Sequence, residues 1–251
     1  MSAVAPQFER TELLIGAGGL ARLAGKHVFV AGLGGVGACC AEALARAGVG
    51  ALTLADHDVI KISNINRQLP ALLSTIGRSK VEAMRERILD INPACRVALV
   101  SEFLQEQNLA ALIPAGVDYV VDCIDALNCK VNLIVHALER GIPVASSMGA
   151  GNRLDPSRVR IADIGRTEVC ALARRIRQRL RRRGFEGGVL AVYSDEPARP
   201  CGPMQDPEGP GRGRCANGTI SYMPPLFGIM LAGAVILDLL GEGGSAAQRR
   251  P

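Results

Sequence analysis

Short apolar runs alternate with longer amphipathic segments along the first part of the chain. His27–Ala31 and Ala51–Ala55 have the length and aliphatic content of buried strands, and Arg96–Val100, Asp118–Asp122 and Pro143–Ser146 continue the series. Helical patterns separate these runs. Strands that alternate with helices in this way are joined by right-handed crossovers, so the pattern predicts a mainly parallel sheet covered by helices.

The pattern changes after Gly149. Residues 153–163 alternate like one strand of a hairpin, residues 167–183 form an amphipathic helix, and Val189–Tyr193 is again strand-like. A last strand and the apolar helix Leu226–Leu240 are expected to complete the fold. We therefore predict an α/β fold with a Rossmann-like, doubly wound, mainly parallel sheet and added antiparallel C-terminal strands.

Two segments lack a regular pattern. Residues 194–218 contain five Pro and five Gly and no periodicity, which predicts a long mobile loop. Residues 242–251 predict a disordered tail. The chain is therefore interpreted as a single domain over residues 1–241.

The beginning of the chain predicts a short helical arm within residues 1–25. Its expected apolar face consists of Leu13, Leu14, Leu20 and Leu23.

The composition favours an aliphatic core. Of 251 residues, 48% are hydrophobic, only 3% are aromatic and none is Trp. This suits a buried parallel sheet and disfavours a base-stacking platform for single-stranded nucleic acid. Leu226–Leu240, at fifteen residues, is shorter than a typical membrane span, so a buried helix is favoured over stable membrane insertion.

The cysteines indicate reduced thiols rather than a zinc site or disulfides. No two of them form a C-x-x-C pair, the usual signature of structural zinc. The first residues lack a basic start followed by an apolar run, so no secretory signal is predicted and a cytoplasmic location is expected. The eight residues are Cys39, Cys40, Cys95, Cys123, Cys129, Cys170, Cys201 and Cys215.

A glycine-rich turn follows the first predicted strand and opens a helix. Its four glycines, Gly32, Gly34, Gly35 and Gly37, fit G-x-G-x-x-G, whose backbone lets phosphates approach a helix N-terminus. Asp56 lies 19 residues after Gly37, at the end of the second strand, where a carboxylate accepts hydrogen bonds from ribose hydroxyls. The alternative is a turn that only packs helix against strand. The motif does not choose between NAD and ATP.

Polar and charged side chains further along favour ATP. Arg and Lys neutralise the β- and γ-phosphates and the leaving pyrophosphate, Asn donates to phosphate oxygens, and a carboxylate past the fourth strand can hold Mg²⁺. Simpler explanations are a surface arginine at 67, a helix-start lysine at 80 and a helix N-cap at 125. The candidate residues are Asp58, Asn64, Arg67, Gln68, Lys80 and Asp125.

These motifs, in this order, resemble the E1-like superfamily of ThiF, MoeB and the ubiquitin-activating enzymes, and imply a ThiF/E1-like fold. The resemblance implies ribose binding by Asp56, triphosphate contacts by Asn64, Arg67 and Lys80, and Mg²⁺ binding by Asp125. It also implies a homodimer, in which an arginine from the partner's N-terminal arm reaches the phosphates. Arg10 occupies that place in the sequence, although it also fits a solvated helix arginine.

Within this superfamily, most of the chain is similar to the tRNA threonylcarbamoyladenosine dehydratase (TcdA/CsdL) branch. Asn64–Gln68, Ser146–Asn152 and Leu154–Pro156 carry the similarity, which covers about residues 8–241. The branch implies ATP-dependent adenylation of the threonylcarbamoyl carboxylate on a tRNA adenosine beside the anticodon, followed by ring closure that expels AMP. An E1-like enzyme that activates a ubiquitin-like sulfur carrier is the alternative, and the missing zinc cysteines count against it. A non-catalytic or NAD-binding Rossmann module is the third hypothesis.

Two further features bear on partners. The predicted helix at 167–183 carries seven arginines between Arg174 and Arg183, which suits an RNA backbone or, alternatively, a merely solvated basic face. Leu172, Ile176 and Leu180 recur on its expected core stripe. In E1-like relatives a loop cysteine can carry a thioester or persulfide, so Cys215 is the candidate reactive thiol and a sulfur-transfer partner protein stays open.

Overall fold

The computed structural model describes residues 5–200, 202, 204–205, 214–215 and 217–243, with the backbone alone at 204–205 and 214–215. The helices are α1 (Glu9–Ala24), α2 (Gly37–Arg46), α3 (Lys80–Ile91), α4 (Leu109–Leu112), α5 (Leu127–Glu139), α6 (Ala171–Arg182) and α7 (Met223–Leu240). The strands are β1 (His27–Ala31), β2 (Ala51–Ala55), β3 (Arg96–Val100), β4 (Tyr119–Asp122), β5 (Val144–Ser147), β6 (Val159–Asp163), β7 (Val189–Ser194), β8 (Met204–Gln205) and β9 (Arg214–Cys215).

Seven strands form one sheet in the order β3-β2-β1-β4-β5-β7-β6. Strands β1 to β5 and β7 run parallel to one another, and β6 pairs antiparallel with β7, as Ile161 opposite Val192 illustrates. The predicted doubly wound, mainly parallel sheet with an antiparallel addition is confirmed. Strand β1 has β2 on one side and β4 on the other, so the chain order reverses there. Open α/β sheets bind ligands outside the carboxyl ends of their strands at such a point.

Both faces of the sheet are buried, which explains why the central strands are mainly apolar. Along β1, Val28 and Val30 belong to one core cluster, together with residues of α2, α3 and α7. Phe29 and Ala31 belong to a second cluster, on the side of α5 and α6. The sheet is thereby fixed between two layers of helices, and its strand ends are held in register.

The apolar helix at the end of the chain is a core helix, as predicted. Helix α7 is long and apolar enough to cross a membrane, with a mean hydropathy of 1.9, but 56% of it is buried inside the protein. The predicted strand before it is wrong. Residues 217–222 are irregular, and the helix already begins at Met223, because Pro224 and Pro225 suit its first turn.

Two other sequence predictions need correction. Gly16 has φ 71° and ψ 167° and breaks α1, so the four leucines do not share one face: Leu20 and Leu23 are buried, whereas Leu13 and Leu14 are more than 80% exposed. Within the segment 194–218, predicted to lack regular structure, β8 and β9 pair antiparallel over two residues each. The predicted disordered tail lies outside the described residues from position 244 onward.

Candidate active site

A cavity of about 620 Å³ opens at the carboxyl ends of β1, β2 and β4. It brings together most of the side chains and glycines singled out from the sequence. Gly37 and Arg10 do not line it, and the side chain of Cys215 is outside the described part of the chain. The predicted residues that line the cavity are Gly32, Gly34, Gly35, Asp56, Asp58, Asn64, Arg67, Gln68, Lys80 and Asp125.

The glycines of the turn serve different purposes. Gly32 has φ +86°, and a Cβ there would lie 2.9 Å from the carbonyl oxygen of Cys123. A Cβ on Gly37 would lie 1.7 Å from the carbonyl oxygen of Gly32, so this glycine is required for α2 to start against the strand. At Gly34 a Cβ would meet only the Gln68 side chain, at 3.7 Å. Gly34 is therefore the position where the open backbone faces the cavity and a phosphate can approach.

Asp56 joins the end of β2 to the glycine turn. Its Oδ2 accepts a hydrogen bond from the backbone N–H of Leu33 at 2.6 Å, and its Oδ1 accepts one from the backbone N–H of Asp58 at 2.9 Å. Each carboxylate oxygen has two lone pairs, so acceptor capacity is left for a ligand hydroxyl. The predicted ribose partner is thus held rigidly at the cavity wall.

Lys80 is the first residue of α3 and is only 4% exposed. Its Nζ lies 2.8 Å from Oδ2 of Asp58 and 3.8 Å from Oδ1 of Asp56. Partial burial would raise the pKa of Asp58, but the hydrogen bond and charge of Lys80 outweigh it and hold that pKa below its ordinary value. The two carboxylates therefore hold the lysine side chain at the cavity wall, so it does more than start a helix.

The turn between β2 and α3 presents the predicted amide and guanidinium groups. Asn64 is buried, and its side-chain oxygen accepts from the backbone N–H of Lys61 at 3.0 Å. Arg67 donates from Nη1 to the carbonyl of Ser63 at 2.8 Å and to the side-chain oxygen of Asn66 at 2.9 Å, and its Nε and Nη2 donors bond no described residue. Gln68 is buried in the wall, and its Oε1 has no hydrogen-bond partner within the described structure. A buried acceptor without a protein partner is uncommon and fits a site that receives a hydrogen bond from a ligand.

Asp125 lies in the loop between β4 and α5 and is exposed to the cavity. No hydrogen bond or ion pair joins its carboxylate to another described residue. Its alternative assignment as a helix N-cap is wrong, because Ala126 holds that position and no side chain caps the helix. A free carboxylate in a cavity fits Mg²⁺, which takes one or two carboxylates together with phosphate oxygens and water.

A second group of possible ligands, Asp56, His57 and Asp58, has its donor atoms within 4.8 Å of one another. The ammonium of Lys80 already pairs with both carboxylates of this group. A divalent cation there would have to displace the ammonium, so Asp125 fits the metal better.

Several cavity residues were missed from the sequence. Phe103 and Leu104 follow β3 and line the cavity, and the ring of His57 packs edge-on against Phe103 with centroids 4.8 Å apart. Their position past a strand end was the available signal, since ligands bind at those ends. Leu172 was assigned to the core stripe of its helix, but it is half-buried and lines the cavity.

The far wall of the cavity is tied together by one asparagine. Asn152 has φ 59°, and its backbone N–H donates to the carbonyl of Gly218 at 2.8 Å. Its side chain donates to Asn217 at 2.9 Å and accepts from the Gly218 N–H at 2.6 Å. Asn66 in turn donates to the carbonyl of Thr219 at 3.3 Å. These contacts hold Asn217 and Thr219 in the cavity wall.

The structure assigns two of the cysteines that were interpreted as core residues to the cavity wall instead. Cys39, Cys40 and Cys95 are buried, as expected for small core residues, but Cys123 and Cys129 are half-buried and line the cavity. Burial raises the pKa of the Cys123 and Cys129 thiols, with the neighbouring Asp122 charge adding to the effect. Both are therefore neutral thiols at pH 7 rather than activated nucleophiles.

Arg10 lies on the exposed side of α1, away from the cavity of its own chain. The structure thus does not bring it to this site within one molecule. A role at the phosphates requires a second copy.

The comparisons with known proteins cover most of the chain. Residues 8–250 match the family model described as the ThiF family. A tRNA threonylcarbamoyladenosine dehydratase of Bacillus subtilis is 41% identical over 242 residues, which cover 94% of this chain and 95% of the relative. The crystal structure of Escherichia coli tRNA N6-threonylcarbamoyladenosine dehydratase, TcdA, in complex with ATP has a TM-score of 0.83 and 34% identity, and the match covers 94% of each chain.

A molybdopterin-synthase adenylyltransferase of E. coli is similar over a shorter stretch. It is 38% identical over 129 residues, which cover 51% of this chain and 51% of that relative. The similarity to the dehydratases therefore extends across the site and beyond it, whereas the similarity to the sulfur-carrier activator is confined to about half of the chain. The chain belongs to the ThiF family, within its tRNA threonylcarbamoyladenosine dehydratase branch.

Proposed function

We propose that the protein is an ATP-dependent dehydratase that adenylates the carboxylate of tRNA threonylcarbamoyladenosine and closes it into a ring. The observation that carries this is the meeting, in one cavity, of the glycine turn with Asp56, Arg67, Lys80 and Asp125. A chain of the dehydratase branch with these residues in one cavity has the groups that phosphoryl chemistry requires. The activity resides in the predicted single domain over residues 1–241.

The first step forms a bond between a substrate carboxylate oxygen and the α-phosphorus of ATP, and breaks the bond from that phosphorus to the bridging oxygen of pyrophosphate. A carboxylate is already deprotonated, so no general base is needed. Asp56 holds the ribose, and Gly34 leaves room for the phosphates. Lys80 and Arg67 neutralise the negative charge that develops on the departing pyrophosphate, a contribution of the electrostatic kind that dominates many active sites.

The second step closes the ring. An atom of the carbamoyl group attacks the activated acyl carbon, and the bond from that carbon to the phosphate oxygen breaks. AMP leaves with the former carboxylate oxygen, and the attacking group releases its proton, so that one water is lost overall. Both reacting groups belong to the same modified nucleoside, which gives a large effective concentration and leaves the protein mainly to position them.

Asp125 is proposed to hold Mg²⁺, together with phosphate oxygens of ATP. Bound there, the ion would neutralise phosphate charge and fix the orientation of the triphosphate. The free carboxylate of Asp125 at the cavity wall supports this assignment. Gln68 and Asn64 are proposed to complete the nucleotide site from the same turn.

We further propose that the substrate is tRNA, that helix α6 provides basic surface for it, and that the enzyme works as a cytoplasmic homodimer. Exposed apolar side chains support the dimer: Leu13 and Leu14 on α1, and Ile229 on the adjoining α7, are at least half exposed. In such a dimer Arg10 would reach the partner's cavity. Cys215 and a sulfur-transfer partner have no step in the proposed reaction.

The test is the mass of the modified nucleoside. The enzyme is incubated with tRNA carrying threonylcarbamoyladenosine, ATP and Mg²⁺, and the tRNA is then digested and analysed by mass spectrometry. We expect the nucleoside to lose the mass of one water, and Arg67→Ala and Asp125→Ala to abolish the loss. An unchanged nucleoside mass with an enzyme that binds ATP would overturn the proposal.

Two further assays separate the other hypotheses. An activator of a sulfur carrier would exchange pyrophosphate only with a protein that ends in Gly-Gly, and would leave the tRNA unchanged. A non-catalytic or NAD-binding module would bind its nucleotide without regard to Arg67→Ala or Asp125→Ala.

A further inference from the structure

The arginines of α6 do not form one uniform basic face. Arg177 is half-buried and donates from Nη1 to the carbonyl of Thr167 at 2.8 Å, so it anchors the helix to the segment before it. Arg174 and Arg181 lie about one helical turn on either side of Arg177, and the pKa of Arg177 is lowered by burial and by their charges. These three arginines occupy one flank of the helix.

A second set of side chains occupies the other flank. Arg175, Arg179 and Arg182 surround a notch of about 250 Å³ between α6 and the start of α5, together with Gln178 and Leu127. Arg179 also donates to the side-chain oxygen of Asn128, which fixes its guanidinium over the first turn of α5. No acidic side chain of the described chain lines this notch. The notch is therefore a concentrated positive site.

The notch adjoins the cavity both at the start of α5 and along α6. Asp125, Ala126 and Cys129 line the cavity, and Leu127, between them, lines the notch. On α6, Leu172 lines the cavity, and Arg175, Arg179 and Arg182 follow it along the same side of the helix. At a rise of about 1.5 Å per residue, this line runs roughly 15 Å away from the cavity mouth.

We propose that this flank, here called the notch flank and consisting of Arg175, Arg179 and Arg182, binds the backbone phosphates of the tRNA strand that carries the modified nucleoside. The proposal rests on the proposed function and names the part of the protein that holds its substrate. A strand whose modified nucleoside enters the cavity has its neighbouring phosphates within reach of α6. Guanidinium groups bind phosphate through paired N–H donors, and the unobstructed notch between them accepts the phosphate oxygens.

The chain offers a matched control for this proposal. Arg175 and Arg182 are seven residues apart and exposed, and so are Arg174 and Arg181. Each residue of the second pair lies about 100° around the helix axis from its neighbour in the first pair. The variants R175Q/R182Q and R174Q/R181Q therefore remove the same charge from the same helix turns and differ only in the flank.

The experiment measures the affinity of the full-length variants for tRNA carrying threonylcarbamoyladenosine, at several salt concentrations. We expect R175Q/R182Q to bind about tenfold more weakly or worse near physiological salt, with the salt slope reduced by about 1 to 2, as the loss of two phosphate contacts predicts. R174Q/R181Q should stay within about threefold of wild type. ATP affinity and the thermal midpoint of both variants should match wild type, which excludes misfolding.

Equal losses in both pairs would show that α6 acts only through its overall charge and would overturn the proposal, as would an unchanged tRNA affinity of R175Q/R182Q. These outcomes are separate from the failure of the proposed function. Wild-type enzyme that binds tRNA but never removes water from the nucleoside would contradict the dehydratase activity, whichever flank binds.

Discussion

The ammonium of Lys80 lies 2.8 Å from a carboxylate oxygen of Asp58 and is almost fully buried beside it. The lysine is thus held at the cavity wall before any nucleotide arrives, with Asp56 as a second partner at 3.8 Å. Because two carboxylates share one ammonium, removing the lysine would leave two negative charges facing a triphosphate. The effect of removing Lys80 on ATP binding therefore depends on whether the Asp58 carboxylate is present.

Lys80→Ala is expected to lower kcat/KM for ATP by about 100-fold or more, a loss typical of removing a charge-stabilising donor. The double variant Lys80→Ala with Asp58→Asn should recover part of that loss, because it also removes a repelling charge. We expect a coupling of about 1 kcal/mol between the two positions. Steady-state kinetics of the two single variants and the double variant measure it, and strictly additive effects would contradict the pairing.

The same pair predicts an acid dependence of stability. The folded pKa of Asp58 is held below its ordinary value, so its stabilising contribution is present above pH about 4 and is lost as the pH falls through the folded pKa. Asp58→Asn should flatten this part of the stability profile. Urea unfolding of wild type and variant between about pH 3 and 7 tests it, and parallel profiles would show that Asp58 contributes nothing.

Two glycines of the turn should respond differently to alanine. Gly34→Ala meets only the flexible end of Gln68, so the protein should fold normally but bind ATP at least about tenfold more weakly, because the methyl group occupies the phosphate approach. Gly37→Ala would press against the carbonyl oxygen of Gly32 and should cost about 2 kcal/mol or more of folding free energy. Calorimetric ATP titration and urea unfolding of both variants separate the two effects. Equal stability of the two variants would contradict this division of roles.

The central strands and the nucleotide motifs could be predicted from sequence because their signals are local. The bounds of β1, β2 and β3 coincide with the predicted apolar runs. Strands β1 and β2 are buried and therefore apolar on both faces, whereas β3 lies at the sheet edge and is partly exposed. The glycine turn, Asp56 and Lys80 were likewise found, because each directly follows a strand or opens a helix. These features depend on a few neighbouring residues.

The features that the sequence did not predict depend on how distant segments meet. Phe103 lines the cavity only because β3 lies beside β2 in the sheet, and Leu172 does so only because α6 packs against the start of α5. A periodic pattern could not separate Leu172 from Ile176, because both lie on one side of the helix. The break at Gly16 was invisible for a related reason: a single residue with positive φ leaves the leucine spacing unchanged.

A fully buried ion pair holds the loop that carries Asp125. Nζ of Lys130 lies 2.6 Å from Asp122, and it also donates to Ser146 and to the carbonyl of Ser147. Burial raises the pKa of Asp122, although Lys130 and Ser146 counteract it. The pair thereby joins the ends of β4 and β5 to α5 directly beneath the cavity.

Lys130→Met should lower the free energy of unfolding by about 3 to 5 kcal/mol, because it leaves a buried carboxylate without its counter-charge. Adding Asp122→Asn to it should restore part of the loss. The exposed pair of Arg85 and Glu82 is the control, and Arg85→Met should change stability by less than about 1 kcal/mol. Urea unfolding measures all three variants, and similar losses for Lys130→Met and Arg85→Met would refute the role assigned to the buried pair.

The proposed place of Arg10 in the partner's cavity can be tested by mixing two inactive variants. Arg10→Ala leaves Asp125 intact, and Asp125→Ala leaves Arg10 intact. If Arg10 serves the partner, a mixed dimer has one site that contains both residues and one that lacks both. Random exchange of equal amounts should then restore about a quarter of the wild-type activity, because half of the dimers are mixed and each has one complete site.

The measured quantity is the rate of water loss from the tRNA nucleoside after the two variants have been unfolded together and refolded. The control is the same mixture refolded separately and combined afterwards, which should stay inactive for as long as subunits do not exchange. A role of Arg10 within its own chain predicts no recovery in either mixture, because every site would then lack one residue. Arg10 lies outside its own cavity, so recovery only in the co-refolded sample is the expected result.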